Sequence, residues 1–117
     1  MTQNDYKYAV VDLEATGTGS SAKIIQIGIV LIENGIITKT YETDVNPHEE
    51  LDEHIKELTG LNDERLGRAP EFSQVAAEVY ELIQDAIFVA HNVKFDANLL
   101  AEALFWENFD LLTPRVD

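Results

Sequence analysis

The chain has no cysteine, which excludes a disulfide framework and a zinc–thiolate site. That fits a reducing cytoplasm. No apolar run is long enough to span a bilayer, and Met1 to Lys7 is polar, without the apolar core of a signal peptide. The expectation is a cytoplasmic protein with no membrane partner. Basic residues are scarce, with 8 Lys and Arg against 22 Asp and Glu and a net charge of −14. So acidic a surface repels phosphate backbones and, taken alone, argues against nucleic-acid binding. Solubility explains most such surfaces. The other use of excess carboxylates is to hold cations, and only their positions separate the two. Internal repeats, linkers and low-complexity tracts are also missing. What remains is 117 residues, the length of one domain, of which 45% are hydrophobic, enough for a real core.

Tyr8-Ala9-Val10-Val11 is a short apolar run stopped by Asp12, and reads as a strand buried on both faces. Ile24 to Ile32 reads as a long β-branched strand. Asn34-Gly35 then favours a tight hairpin, since both residues tolerate positive φ. A third strand, Ile36 to about Val45, should return antiparallel. Residues 46–53 carry Pro47 and a run of carboxylates and read as a solvated loop. His54 to Thr59 suits a short helix stopped by Gly60. After Pro70, the spacing of Phe72, Val75, Ala76, Val79, Leu82 and Ile83 predicts one apolar helix face. Ala86 to Ala90 predicts a fourth, buried strand. Asn92 suits the N-cap of a helix to about Trp106, with Leu99, Leu100, Ala103 and Leu104 on its buried side. After Pro114, Arg115-Val116-Asp117 reads as the beginning of another strand. The order predicts an α/β fold with a mixed sheet.

Within this layout three carboxylates stand out. In extended backbone, residues i and i+2 point the same way. Asp12 and Glu14 can therefore aim at one spot while Leu13 turns into the core. Gly17 allows a tight turn or a close backbone approach to a ligand. Asp96 follows the fourth strand. If strands one and four are parallel neighbours, their C-terminal ends coincide, where open α/β sheets bind ligands. Three converging carboxylates repel and raise one another's pKa. Magnesium or manganese, hard ions that prefer oxygen, would make the cluster favourable. Two such ions roughly 4 Å apart can activate a water and stabilise a leaving oxygen. Taken singly, Asp12 is more simply a turn residue, Glu14 a solvated one, and Asp96 a favourable charge at a helix start.

The flanking residues shift that balance. Asp12-Leu13-Glu14-Ala15-Thr16-Gly17 resembles the first motif of the DnaQ-like DEDD 3′→5′ exonucleases, Asp-x-Glu-x-Thr-Gly. His91-Asn92-Val93-Lys94-Phe95-Asp96 resembles the second, His-Asn-x-x-Phe-Asp. Leu58-Thr59-Gly60 and Ala69-Pro70-Glu71-Phe72 are similar to segments that lie between those motifs. Within the family, residues 12–20 and 89–117 most resemble the N-terminal exonuclease domain of DinG-type helicase-related proteins. The resemblance implies an RNase H-like fold, a mixed five-stranded sheet with flanking helices. It implies that Asp12, Glu14 and Asp96 are catalytic and ligate two Mg2+ or Mn2+ ions. It places Thr16, Gly17, His91, Asn92 and Phe95 around the nucleic-acid substrate, with His91 supporting the site rather than catalysing. The expected substrate is single-stranded DNA or a frayed 3′ end, or RNA. A helicase-like region is the expected neighbour in a full-length protein, although no Gly-Lys-Ser/Thr phosphate loop occurs here.

The resemblance also leaves gaps. The family's fourth Asp, and in the His subgroup a His five residues before it as general base, belong to a helix after the fifth strand. His48, His54 and His91 do not match that pattern. The chain is therefore expected to be the N-terminal portion of such a domain, lacking a C-terminal strand and helix. It should be impaired in activity, with apolar surface that invites self-association. The competing expectation is a non-catalytic exonuclease-like domain used for protein or nucleic-acid binding.

Overall fold

The computed structural model describes residues 6–111 and 115–116. Expectations for Asp117 and Pro114 lie outside the described residues. Three strands come first, β1 (Lys7–Ala15), β2 (Ile24–Glu33) and β3 (Ile36–Asp44). They form an antiparallel meander. Asn34 and Gly35 join β2 to β3 with φ of 55° and 78°. This is the doubly left-handed turn that matches the twist of a hairpin. Two short helices, α1 (Glu53–Thr59) and α2 (Asp63–Gly67), precede α3 (Phe72–Ile83), β4 (Ile87–Val89), α4 (Val93–Trp106) and β5 (Arg115–Val116). The sheet order is β3-β2-β1-β4-β5. β4 lies parallel to β1, and β5 parallel to β4. This is the expected mixed α/β sheet. The fifth strand, expected to be lacking beyond its beginning, is present as a two-residue pairing with Phe88 and Val89.

One main core joins the sheet to α3 and α4. Ala9, Val11 and Leu13 from β1 and Ile27, Ile29 and Leu31 from β2 enter it from one face. Val79, Ile83, Leu100 and Leu104 enter it from the helices. The alternate residues Tyr8, Val10, Val30 and Ile32 are only half-buried. So β1 is not buried on both faces, as its unbroken apolar run implied. It alternates, because helices pack on one side and charged residues occupy the other at its end. The strand also does not stop at Asp12. Its ladder with β2 runs on through Ala15, with Asp12 opposite Gly28 and Glu14 opposite Gln26. Cross-strand hydrogen bonding thus overrides the poor strand propensity of Asp and Glu.

A second cluster, Ile25, Leu51, Ile55, Leu61 and Leu66, fastens α1 and α2 beside the sheet. The residue 46–53 segment is therefore less solvated than its charge implied, since Pro47 and Leu51 are buried. Gly60 ends α1 with φ 77° and ψ 3°, and its N–H donates to the Lys56 carbonyl. In that left-handed conformation a Cβ costs about 1 kcal/mol. Gly60→Ala should therefore lower the stability by about that amount, read as a reduced urea midpoint at unchanged m value.

α3 buries Val75, Ala76, Val79, Leu82 and Ile83, as the three-four spacing required, and a reciprocal Glu71–Gln74 capping box starts it. α4 differs from expectation in one respect. Its buried residues are Asp96, Ala97, Leu100 and Leu104, while Leu99 and Ala103 are only half-buried. The core stripe is rotated toward Asp96 and Ala97. This brings a carboxylate inward and leaves Leu99 half-buried at the core's edge.

Candidate active site

The site lies past the C-terminal end of β4, where β1 runs on paired only with β2. Val10 is opposite Val89 in the parallel ladder, so Asp12 and His91 each stand two residues past the same rung. Asp12 and Glu14 share the face of β1 opposite the core, and Leu13, 8% exposed, points into it. Alternation along the strand therefore aims both carboxylates the same way. Gly28 opposite Asp12 contributes no side chain, and Asp12 borders an open depression with Gly28 and Thr40.

Asp96 arrives from the other side, in the first turn of α4. Its N–H donates to the Asn92 carbonyl at 2.9 Å. The Asn92 side chain accepts from the Phe95 N–H, as an N-cap should, at 3.5 Å. Asp96 is the one buried charged residue among the described residues, with 7% of its surface exposed. Its pKa is pushed up to about 6, first by burial, then by the charges of Asp12 and Glu14, with His91 acting in the opposite direction. Glu14 is likewise raised, first by burial and then by Asp12. The three carboxylates named by the motifs thus meet in one electrostatic neighbourhood. The helix N-terminus favours a negative Asp96, but burial and like charge outweigh it.

The donor set consists of carboxylate oxygens, the chemistry that suits Mg2+ or Mn2+. A shared cation would remove the like-charge penalty that the raised Asp96 and Glu14 record. The fit is chemical rather than preformed. Among the described residues, no group of three or more His, Cys, Asp or Glu is arranged as a ready-made cation site. Asp12 is exposed and Asp96 buried, so the side chains have to close inward to share an ion.

The remaining motif residues surround this centre. Thr16 closes the connection from β1 to β2. Its N–H donates to the Lys23 carbonyl at 2.8 Å, and its Oγ1 accepts the Lys23 N–H at 2.9 Å. Gly17 is not in the left-handed region, and a Cβ there would meet nothing within 4 Å. The turn itself therefore does not require glycine. His91 and Asn92 are exposed, and Asn92 and Phe95 line a cleft with Thr18 to Ser20. His48 and His54 are exposed, as expected. His48 reaches Glu71 at 3.5 Å.

Gln26 was not singled out by the motifs. It stands opposite Glu14, and its Nε2 donates to Asp44 at 3.1 Å. Arg65 holds the same carboxylate through Nε at 2.6 Å and Nη2 at 3.0 Å. This arrangement fixes the strand end beside Glu14. The only signal for it in the sequence is one amide within the run Ile24 to Ile32.

A carboxylate cluster at the ends of parallel strands in a β3-β2-β1-β4-β5 mixed sheet defines an RNase H-like nuclease class. Residues 9–114 match the RNase T exonuclease family, and the chain belongs to it. The chain is 46% identical over 97 residues to proteins named 3′-5′ exonuclease DinG from Staphylococcus aureus strains USA300 and NCTC 8325. That match covers 82% of this chain and 11% of those relatives, so the chain spans about a ninth of their length. In fold it is similar to exonuclease I in its complex with the SSB C-terminus, at TM-score 0.83 and 14% identity, covering 97% of this chain and 28% of that one. It is also similar to E. coli exonuclease I in complex with a dT13 oligonucleotide, at TM-score 0.82 and 14% identity, covering 96% and 28%. Among the described residues no helix is long and apolar enough to cross a membrane.

Proposed function

We propose that this chain is the exonuclease unit of a metal-dependent 3′→5′ exonuclease acting on the 3′ ends of single-stranded DNA in the cytoplasm. The observation that carries the reading is Asp96, held in the first turn of α4 with its proton affinity raised first by burial and then by the neighbouring Asp12 and Glu14. A structural aspartate would gain nothing from two more carboxylates beside it, whereas a cation-binding one would. Asp12, Glu14 and Asp96 are the residues that would hold two Mg2+ or Mn2+ ions. When bound, such ions supply a polarised water and stabilise the leaving 3′ oxygen in phosphodiester hydrolysis. The chain's own part is to orient the strand end. The looped backbone at Thr16 and Gly17 meets the terminal nucleotide, the ring of Phe95 offers a face to a base, and Asn92 fixes the helix start that presents Asp96. His91 supports the site by lowering the proton affinity of Asp96. By resemblance to DinG-type proteins, a helicase-like region is its neighbour in a full-length protein.

The test is a 5′-labelled single-stranded DNA oligonucleotide incubated with manganese, with and without a chelator. A ladder shortening slowly from the 3′ end, as impaired activity implies, and absent with the chelator, is the expected result. Labelled RNA in the same assay decides the sugar preference. The second reading, a non-catalytic exonuclease-like domain used for binding, is favoured by one observation. Among the described residues no ready-made cation site is formed. Binding of the oligonucleotide with no metal-dependent shortening would establish it in place of the first.

A further inference from the structure

Beside the carboxylates, the motif residues Asn92 and Phe95 open onto a groove that the motifs do not account for. One cleft begins at Asn92 and Phe95 and is walled by Thr18, Gly19 and Ser20. A second runs from Lys23 and Pro47 to Phe72 and Trp106. The two share Ser20, Leu99 and Glu102, so they form one continuous channel. Its helical wall is a single stripe of α4, with Phe95, Leu99, Glu102 and Trp106 spaced by four, three and four residues. The rotation that buries Asp96 and Ala97 leaves Leu99 at the core's edge, where it also lines this stripe.

The far end of the channel carries a large apolar side chain in an unusual place. Trp106 is 74% exposed, and its neighbour Phe105 is 65% exposed, the two rings meeting edge to face at 6.1 Å. Trp106 closes α4 beside the channel rather than beneath the core. An indole left in water at the end of an apolar stripe is a surface that a flat, weakly polar ring can cover.

We propose that Trp106 is a stacking platform for an upstream base of the same single strand whose 3′ end lies at Asp12, Glu14 and Asp96. This rests on the exonuclease reading above and extends it to the path of the substrate. The occupant follows from continuity, since the channel starts at Asn92 and Phe95, which the exonuclease reading places around the substrate. Charge limits how that strand can lie. Lys23 and Lys94 are the cations at the channel, against Glu71, Glu102 and Glu107. A strand that stacks its bases inward and keeps its phosphates out in water fits such walls, and a duplex held by its phosphates does not. The distance sets the length. Phe95 to Trp106 spans roughly 16 Å of helix, or about five stacked nucleotides at ~3.4 Å each. Strands shorter than this cannot reach Trp106 from the catalytic end.

Trp106 is the only tryptophan in the chain, so its emission reports the contact directly. The experiment titrates the chain with dT12 and with dT2, using calcium in place of magnesium so that the strand is not consumed. Anisotropy of fluorescein-labelled dT12 provides an independent binding signal. The expected result is quenching of Trp106 by dT12 and none by saturating dT2. Trp106→Ala should weaken dT12 roughly tenfold while leaving dT2 unchanged, and Trp106→Phe should restore most of the affinity. Because the side chain is exposed, neither variant should disturb folding, which far-UV circular dichroism checks. Saturation by dT12 with no change in Trp106 emission, or equal affinity for wild type and Trp106→Ala, would overturn the inference while leaving the exonuclease reading intact. Absence of any binding by wild type would overturn both.

Discussion

Asp12→Ala is expected to reduce metal-dependent hydrolysis about a thousand-fold or more, with little loss of folding. Asp12 is exposed at the end of β1 and makes no contact in the core, so truncating it removes charge and little packing. Its charge matters to its neighbours, since it raises the proton affinity of both Glu14 and Asp96. In the proposed site it is a cation ligand shared with them. Charge stabilisation by bound metal is worth several kcal/mol in hydrolytic transition states, and about 4 kcal/mol is a factor of a thousand in rate. Two measurements check this. Shortening of a 5′-labelled oligonucleotide should fall by that factor. Manganese affinity, followed by calorimetry, should drop in parallel. Activity that survives Asp12→Ala would remove Asp12 from the machinery. Loss of activity with unchanged manganese affinity would leave it a role other than ligation.

How far the sequence led depended on how local each feature is. Asp12 and Glu14 share a face because alternation is a property of the strand itself, and the Asn34-Gly35 turn is likewise written in two residues. Convergence with Asp96 needed one further assumption, that β1 and β4 are parallel neighbours, and the ladder from Tyr8 to Val10 bears it out. Features set by tertiary packing were not legible. α2 has one buried residue, Leu66, and therefore no period to detect. It forms because Leu66 joins Ile25 and Leu51 in the smaller cluster, with Asn62 capping its start. α4 is apolar on too many sides for periodicity to choose its buried stripe, since Phe95, Ala97, Leu99, Leu100, Ala103 and Trp106 all compete. Packing against β1 and β4 chose Ala97 and Leu100 and left Leu99 half-buried at the core's edge. The outward groove could be seen only after that choice.

The last expected result concerns what the site costs the fold. In the metal-free chain, Asp96→Asn should raise stability at neutral pH while it abolishes hydrolysis. Asp96 ionises in the folded state near pH 6, against an ordinary value of 3.8. Between those values the folded chain binds more protons than the unfolded one, so stability falls as pH rises. The contribution of protonated Asp96 is fully present below about pH 4 and lost as pH climbs through 6. A shift of that size amounts to at most about 3 kcal/mol. Asparagine has nearly the same shape and no charge, so it should recover up to that amount at pH 7 and flatten the pH dependence of the urea midpoint between pH 4 and 7. Magnesium should do the same for wild type, because a ligand that binds only the folded state stabilises it. It should do so much less for Asp96→Asn. A variant less stable than wild type at pH 7 in chelator would mean that the Asp96 carboxylate is held by favourable partners rather than by burial beside like charges. If instead the variant is more stable and inactive, the strain at Asp96 is a property of the empty site. That outcome would fit a site that works only when a cation neutralises it.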